Sequence, residues 1–89
     1  MHGRALVAWN LRRLRVERGV SQERLAFDSG ADRSYLGGVE RQEQNPTVDV
    51  LDRLAATLDV SISELFGVPR KGALAPKPLQ RGRKPPDRR

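Results

Sequence analysis

The sequence contains no cysteine, and its single histidine is His2. Disulfides, thiolate metal sites and cysteine nucleophiles are therefore excluded, and a histidine dyad or histidine metal site has no second member. Aromatic side chains are scarce, with one Trp, one Tyr and two Phe in 89 residues. No apolar run approaches the roughly 20 residues that span a bilayer, and the first residues lack the apolar stretch of a secretory signal. No nucleophile–base constellation is present, and the glycine pair Gly37-Gly38 lacks the surroundings of a phosphate-cradling loop. These absences predict a soluble, cytoplasmic chain that holds no metal or cofactor and is not an enzyme. No segment of strand length alternates apolar and polar residues, so the predicted class is all-α.

Charge is distributed unevenly. Residues 1–68 carry nine Arg and no Lys against ten acidic residues, a balance of −1, while residues 69–89 carry eight basic residues against one Asp, a balance of +7. Five of the six prolines also lie after Val68. That tail has too few apolar residues to offset its ordering entropy and reads as disordered and basic. Its charge suits a polyanion, or else only keeps the chain soluble. The boundaries are thus a folded domain at 1–68 and a proline-rich tail at 69–89.

The folded part reads as five short helices. Val7, Leu11, Leu14 and the stem of Arg18 form one stripe over 5–18, and Gly19 ends it. Ser21 caps a second helix near 22–28, with Leu25 and Ala26 inward. Asp32 caps a third at about 33–41, and Asn45-Pro46 then breaks the chain. Thr47 caps a fourth at 48–58, whose apolar positions are Val50, Leu51, Leu54, Ala55 and Leu58. Ser61-Ile62-Ser63-Glu64 has the form of a capping box opening a short fifth helix.

Two short helices joined by a Gly-containing turn fit a helix-turn-helix. The third helix sharpens that reading. At 100° per residue Leu36, Val39 and Glu40 share one side, while Arg33, Ser34, Gly37 and Gly38 share the other and Tyr35 lies on the border. A small, polar, cationic face is what a major-groove reader needs, because it admits base edges and Arg can donate twice to guanine. Each glycine is costly inside a helix. The pair implies either a close backbone approach to the groove or a helix that ends early.

The stretches LRRLRVERGVSQERLA, SGADRSYLGGVER and NPTVDVLDRLAATLDVSISELF resemble the phage-repressor type of helix-turn-helix proteins, the XRE or lambda-repressor-like family, over about residues 4–68. The resemblance implies a compact five-helix DNA-binding domain and a DNA-binding transcriptional regulator. Gln22 would touch the DNA backbone and brace the third helix, or else stand in solvent. Arg33 and Ser34 match the leading base-reading positions; for Arg33 the alternatives are a phosphate clamp or an ion pair with Asp32. Tyr35 would meet the DNA backbone or cover the turn as a half-buried ring. The family often has a base-reading side chain where Gly38 stands, and usually Gly where Gln42 stands. The loop 41–45 would lie near phosphates, with Arg41, Gln44 and Asn45 as contacts and Glu43 unfavourable. Arg12 and Arg13 would reach the DNA backbone or, the preferred reading, form a solvated basic face. Arg15 and Glu40 match a structural ion pair.

Relatives usually bind inverted repeats as homodimers. Ile62, Phe66 and Val68 are the candidate dimer residues, with core closure as the other reading, which suits Leu65 better. Trp9 is expected to pack against the fifth helix or the tail. Arg81, Arg83 and Lys84 loosely resemble a minor-groove hook. Glu23 corresponds to an acidic position that touches RNA polymerase in some relatives, and the Tyr-Leu-x-x-Val-Glu run also resembles restriction–modification controller proteins. The alternative function is an antitoxin or other protein-interaction module whose tail binds a toxin partner.

Overall fold

The computed structural model describes residues 1–77, and every regular element among them is helical. The helices are α1 (Gly3–Glu17), α2 (Gln22–Ser29), α3 (Arg33–Glu40) and α4 (Val48–Thr57), followed by a 3₁₀ turn at Ile62–Phe66. The expected fifth helix is therefore only this turn. Its Glu64 amide bonds to the Ser61 carbonyl in 3₁₀ fashion, and Gly67 leaves in an extended conformation ahead of Pro69. Nor is the capping box of the expected form: Ser61 Oγ accepts from the Ser63 amide, while the Glu64 carboxylate faces Arg13 at 3.8 Å.

The three side-chain caps act as expected. Ser21 accepts from the Arg24 amide, Asp32 from that of Tyr35 and Thr47 from that of Val50. The helix ends share one solution, a left-handed residue, at Gly19, Gly30, Gln42 and Asp59. After α3 the Gln42 amide returns to the Val39 carbonyl and the Glu43 amide to that of Gly38. Gln42 thus does the work of the family's glycine, at φ +65°.

The elements close a circuit in which α1 packs on α3, α3 on α2, α2 on α4, α4 on the 3₁₀ turn, and that turn on α1. Leu11, Leu25, Leu36, Leu54 and Leu65 meet at its centre, all essentially inaccessible. One polar residue inside this core was not anticipated. Asn10 Nδ2 donates to the carbonyls of Leu6, Leu65 and Gly67, and its Oδ1 accepts from Arg13. Asn10 therefore ties α1 to the 3₁₀ turn and to the chain leaving it. The chain then turns at Arg70–Ala73, and Pro69, Arg70 and Ala73 line a groove of about 270 Å³ with Trp9 and Arg13. No helix among the described residues is long and apolar enough to cross a membrane.

Candidate nucleic-acid interface

The inner side of α3 is anchored by charge. Glu40 Oε2 accepts from Arg15 Nε at 2.7 Å and Oε1 from Arg15 Nη2 at 2.8 Å, a two-pronged pairing. Glu40 Oε1 also receives Gln22 Nε2 at 3.0 Å and Arg12 Nε at 3.2 Å. Arg15 spends its remaining reach on the Val20 carbonyl, fixing the turn into α2. Burial by itself pushes the Glu40 carboxyl up. The hydrogen bonds and charge of Arg15, with the bonds from Gln22 and Arg12, outweigh it and leave the carboxyl below its ordinary value.

This cluster changes two expectations. Arg12 is not part of a solvated face, because it joins Arg15 on the same carboxylate. Arg13 likewise is engaged, by Asn10, Glu17 and Glu64. The spacing of Arg12 and Arg15, three apart on one helix face, was the available signal. Gln22 has its amide nitrogen on Glu40, so it links the start of α2 directly to α3.

The outer side of α3 presents Arg33 and Ser34, both exposed, with Arg41 at the helix end. Arg33 Nε faces Glu23 at 3.5 Å, while Asp32 is occupied as the helix cap. Arg41 Nη2 faces Glu43 at 3.1 Å, and that neighbour raises the guanidinium further above its ordinary value. Glu43, which the loop's proximity to phosphates made unfavourable, thus has a partner of its own. Tyr35 is half-buried and packs against the core.

Helix α3 does not end early, since it runs through both glycines to Glu40. The space in front of them is filled by the chain itself. A Cβ at Gly37 would stand 3.0 Å from both Arg33 Nη1 and Arg41 Nη1, and 3.7 Å from Gln22 Oε1. A Cβ at Gly38 would stand 2.8 Å from Gln44 Cγ. The structure thereby brings Gln22, Arg33, Arg41 and Gln44 to one surface with Ser34 beside them, and Asn45 follows exposed on the loop.

Ile62, Phe66 and Val68 lie elsewhere, on the segment packed against α1 and α4. Leu65 closes the core and Ile62 packs against it, whereas Phe66 is 42% and Val68 80% exposed. Arg81, Arg83 and Lys84 fall outside the described residues.

Residues 11–65 match the family model HTH_3, described as Helix-turn-helix. A hypothetical transcription factor of Neisseria meningitidis serogroup B is 40% identical over 68 residues, 76% of this chain and 64% of that protein. The chain thus spans just under two thirds of that relative. Among solved structures, the restriction-modification controller protein C.AhdI from Aeromonas hydrophila is 48% identical, with a TM-score of 0.69 over 71% of this chain and 96% of that one. The controller protein C.Esp1396I, solved as a tetramer in complex with its natural 35 base-pair operator, is 31% identical, with a TM-score of 0.65 over 75% of this chain and 99% of that one.

Proposed function

Because the chain belongs to the helix-turn-helix family HTH_3, we propose that it is a sequence-specific, double-stranded-DNA-binding transcriptional regulator that places α3 in the major groove. The observation that carries this reading is the outer face of α3. Two arginines and the carboxamide of Gln44 gather there with exposed Ser34, on a helix anchored from its inner side by the buried Arg15–Glu40 pair. Arg33 is positioned to donate to guanine O6 and N7, and Ser34 to a neighbouring base or phosphate. Arg41 and Asn45 serve the sugar–phosphate backbone, as do the amides that open α2 around Gln22. The protein acts in the cytoplasm at the nucleoid and performs no chemistry on the DNA.

One module of this size contacts few base pairs, so it acts as a homodimer on an inverted repeat. Phe66 and Val68, both exposed, are the dimer residues, with Ile62, which packs against the core, beside them in sequence. Operator binding by the C.Esp1396I tetramer supports an oligomeric reader.

Selection of bound duplexes from a random library with the full chain tests the function. Recovery of one inverted repeat is the expected result; no enrichment sinks the reading and moves the search to protein partners. The tail supplies salt-dependent affinity through its lysines and arginines. Removing residues 78–89, which carry five basic residues and one Asp, is expected to flatten the dependence of affinity on salt and leave the selected repeat unchanged. An altered repeat would give the tail a reading role instead.

A further inference from the structure

A side chain one turn beyond Ser34 on the outer face of α3 would also face the groove, yet α3 has glycine there. Gly38 lies one turn beyond Ser34 on the outer face, and an eight-residue helix gives up stability for it. The structure shows what occupies that place. Left-handed Gln42 reverses the chain at the end of α3, and the Glu43 amide bonds back to the Gly38 carbonyl at 2.8 Å. The following residue, Gln44, is thereby laid over Gly38. A Cβ at Gly38 would stand 2.8 Å from Gln44 Cγ, 3.4 Å from its Nε2 and 3.6 Å from its Cδ. The first distance is shorter than any relaxed carbon–carbon contact. Only glycine leaves Gln44 this seat.

The Gln44 side chain is half-exposed, and among the described residues its carboxamide has no hydrogen-bond partner. The carboxamides of Gln22 and Asn10, by contrast, are both engaged inside the protein. A glutamine carboxamide offers one acceptor and two donors, which match N6–H and N7 on the major-groove edge of adenine. Arg41, whose Nη1 lies over Gly37 as does that of Arg33, already supplies positive charge for the phosphates.

We propose that Gln44 is a specificity-determining residue, seated on Gly38, that reads an adenine edge in place of a side chain from α3 itself. The proposal rests on the DNA-binding function given above. It makes position 38 and position 44 one device: glycine provides the seat and glutamine the reading group.

The test uses the full chain and the duplex selected by the wild-type protein. Gln44→Ala is expected to keep the repeat and lose about tenfold of the preference at one symmetric A·T pair. Gly38→Ala, which displaces Gln44, is expected to lose the same preference, and the double variant no more than either alone. Replacing the adenine of that pair with 7-deazaadenine should weaken wild-type binding by a similar factor and leave binding by Gln44→Ala unaffected. Full wild-type discrimination in Gln44→Ala, or an equal loss of affinity for every sequence, would overturn the proposal and leave the DNA-binding function standing. Enrichment of no duplex by the wild-type protein would overturn both.

Discussion

The two faces of α3 use the same ion-pair chemistry in opposite settings. On the inner face the side chains of Arg15 and Glu40 are 5% and 0% exposed and meet through two short hydrogen bonds. On the outer face the Arg33 and Glu23 side chains are 44% and 63% exposed and stand 3.5 Å apart, and Arg41 meets Glu43 in similar exposure. Inside, each charge has lost its water, so removing one partner strands the other. Outside, both partners stay hydrated, and the arginine can exchange its carboxylate for another anion at little cost. One face therefore anchors the helix, and the other keeps two arginines available over Gly37.

The sharpest way to break this contrast is Glu40→Ala. It leaves Arg15 buried without a carboxylate, with Arg12 and Gln22 also losing their acceptor. A loss of about 3–5 kcal/mol is expected in urea unfolding; a loss within the range of a surface substitution would place the pair outside the core. Acid acts on the same group more gradually. Because the folded Glu40 carboxyl lies below its ordinary value, its contribution is fully present above the unfolded value of about 4.3 and disappears as pH falls through the folded one. The urea midpoint should fall on acidification in that range, and less steeply in Glu40→Gln.

Arg33→Ala inverts the pattern. Unfolding should shift by no more than about 0.5 kcal/mol, while discrimination at one symmetric position of the selected repeat drops by about 1–3 kcal/mol. A stability loss like that of Glu40→Ala would show the outer face to be structural as well. The smallest effect belongs to the turn between the faces. Gln42 stands at φ +65°, a conformation costing about 1 kcal/mol for a residue with a side chain. Gln42→Gly should raise stability by up to about that amount, and a neutral or destabilising result would mean that the glutamine side chain offsets the strain.

Much of the scaffold was legible from local signals. Ser21, Asp32 and Thr47 announce helix starts because a capping side chain bonds an amide three residues away. The outward set on α3 follows from a 100° step applied to eight residues. The fifth helix failed because Ser61 and Glu64 match a capping pattern, while Gly67 and Pro69 leave room for only one tight turn. Asn10 was invisible because its acceptors, Leu65 and Gly67, lie 55 and 57 residues along the chain. Arg12 was legible only through its spacing of three from Arg15, since its carboxylate lies 28 residues away.

What the sequence determined by itself is the all-helical class, the starts of α2, α3 and α4, the inward leucines, the family and the separation of a near-neutral body from a basic tail. These depend on composition and on spacings shorter than one or two helical turns. The tertiary structure alone decided who meets whom: that Arg12, Arg15 and Gln22 share Glu40, that Asn10 binds the chain exit, and that Arg33, Arg41 and Gln44 fill the places two glycines leave empty. A polar side chain has several possible partners within its reach, and only the packing of helices around the leucine core selects among them.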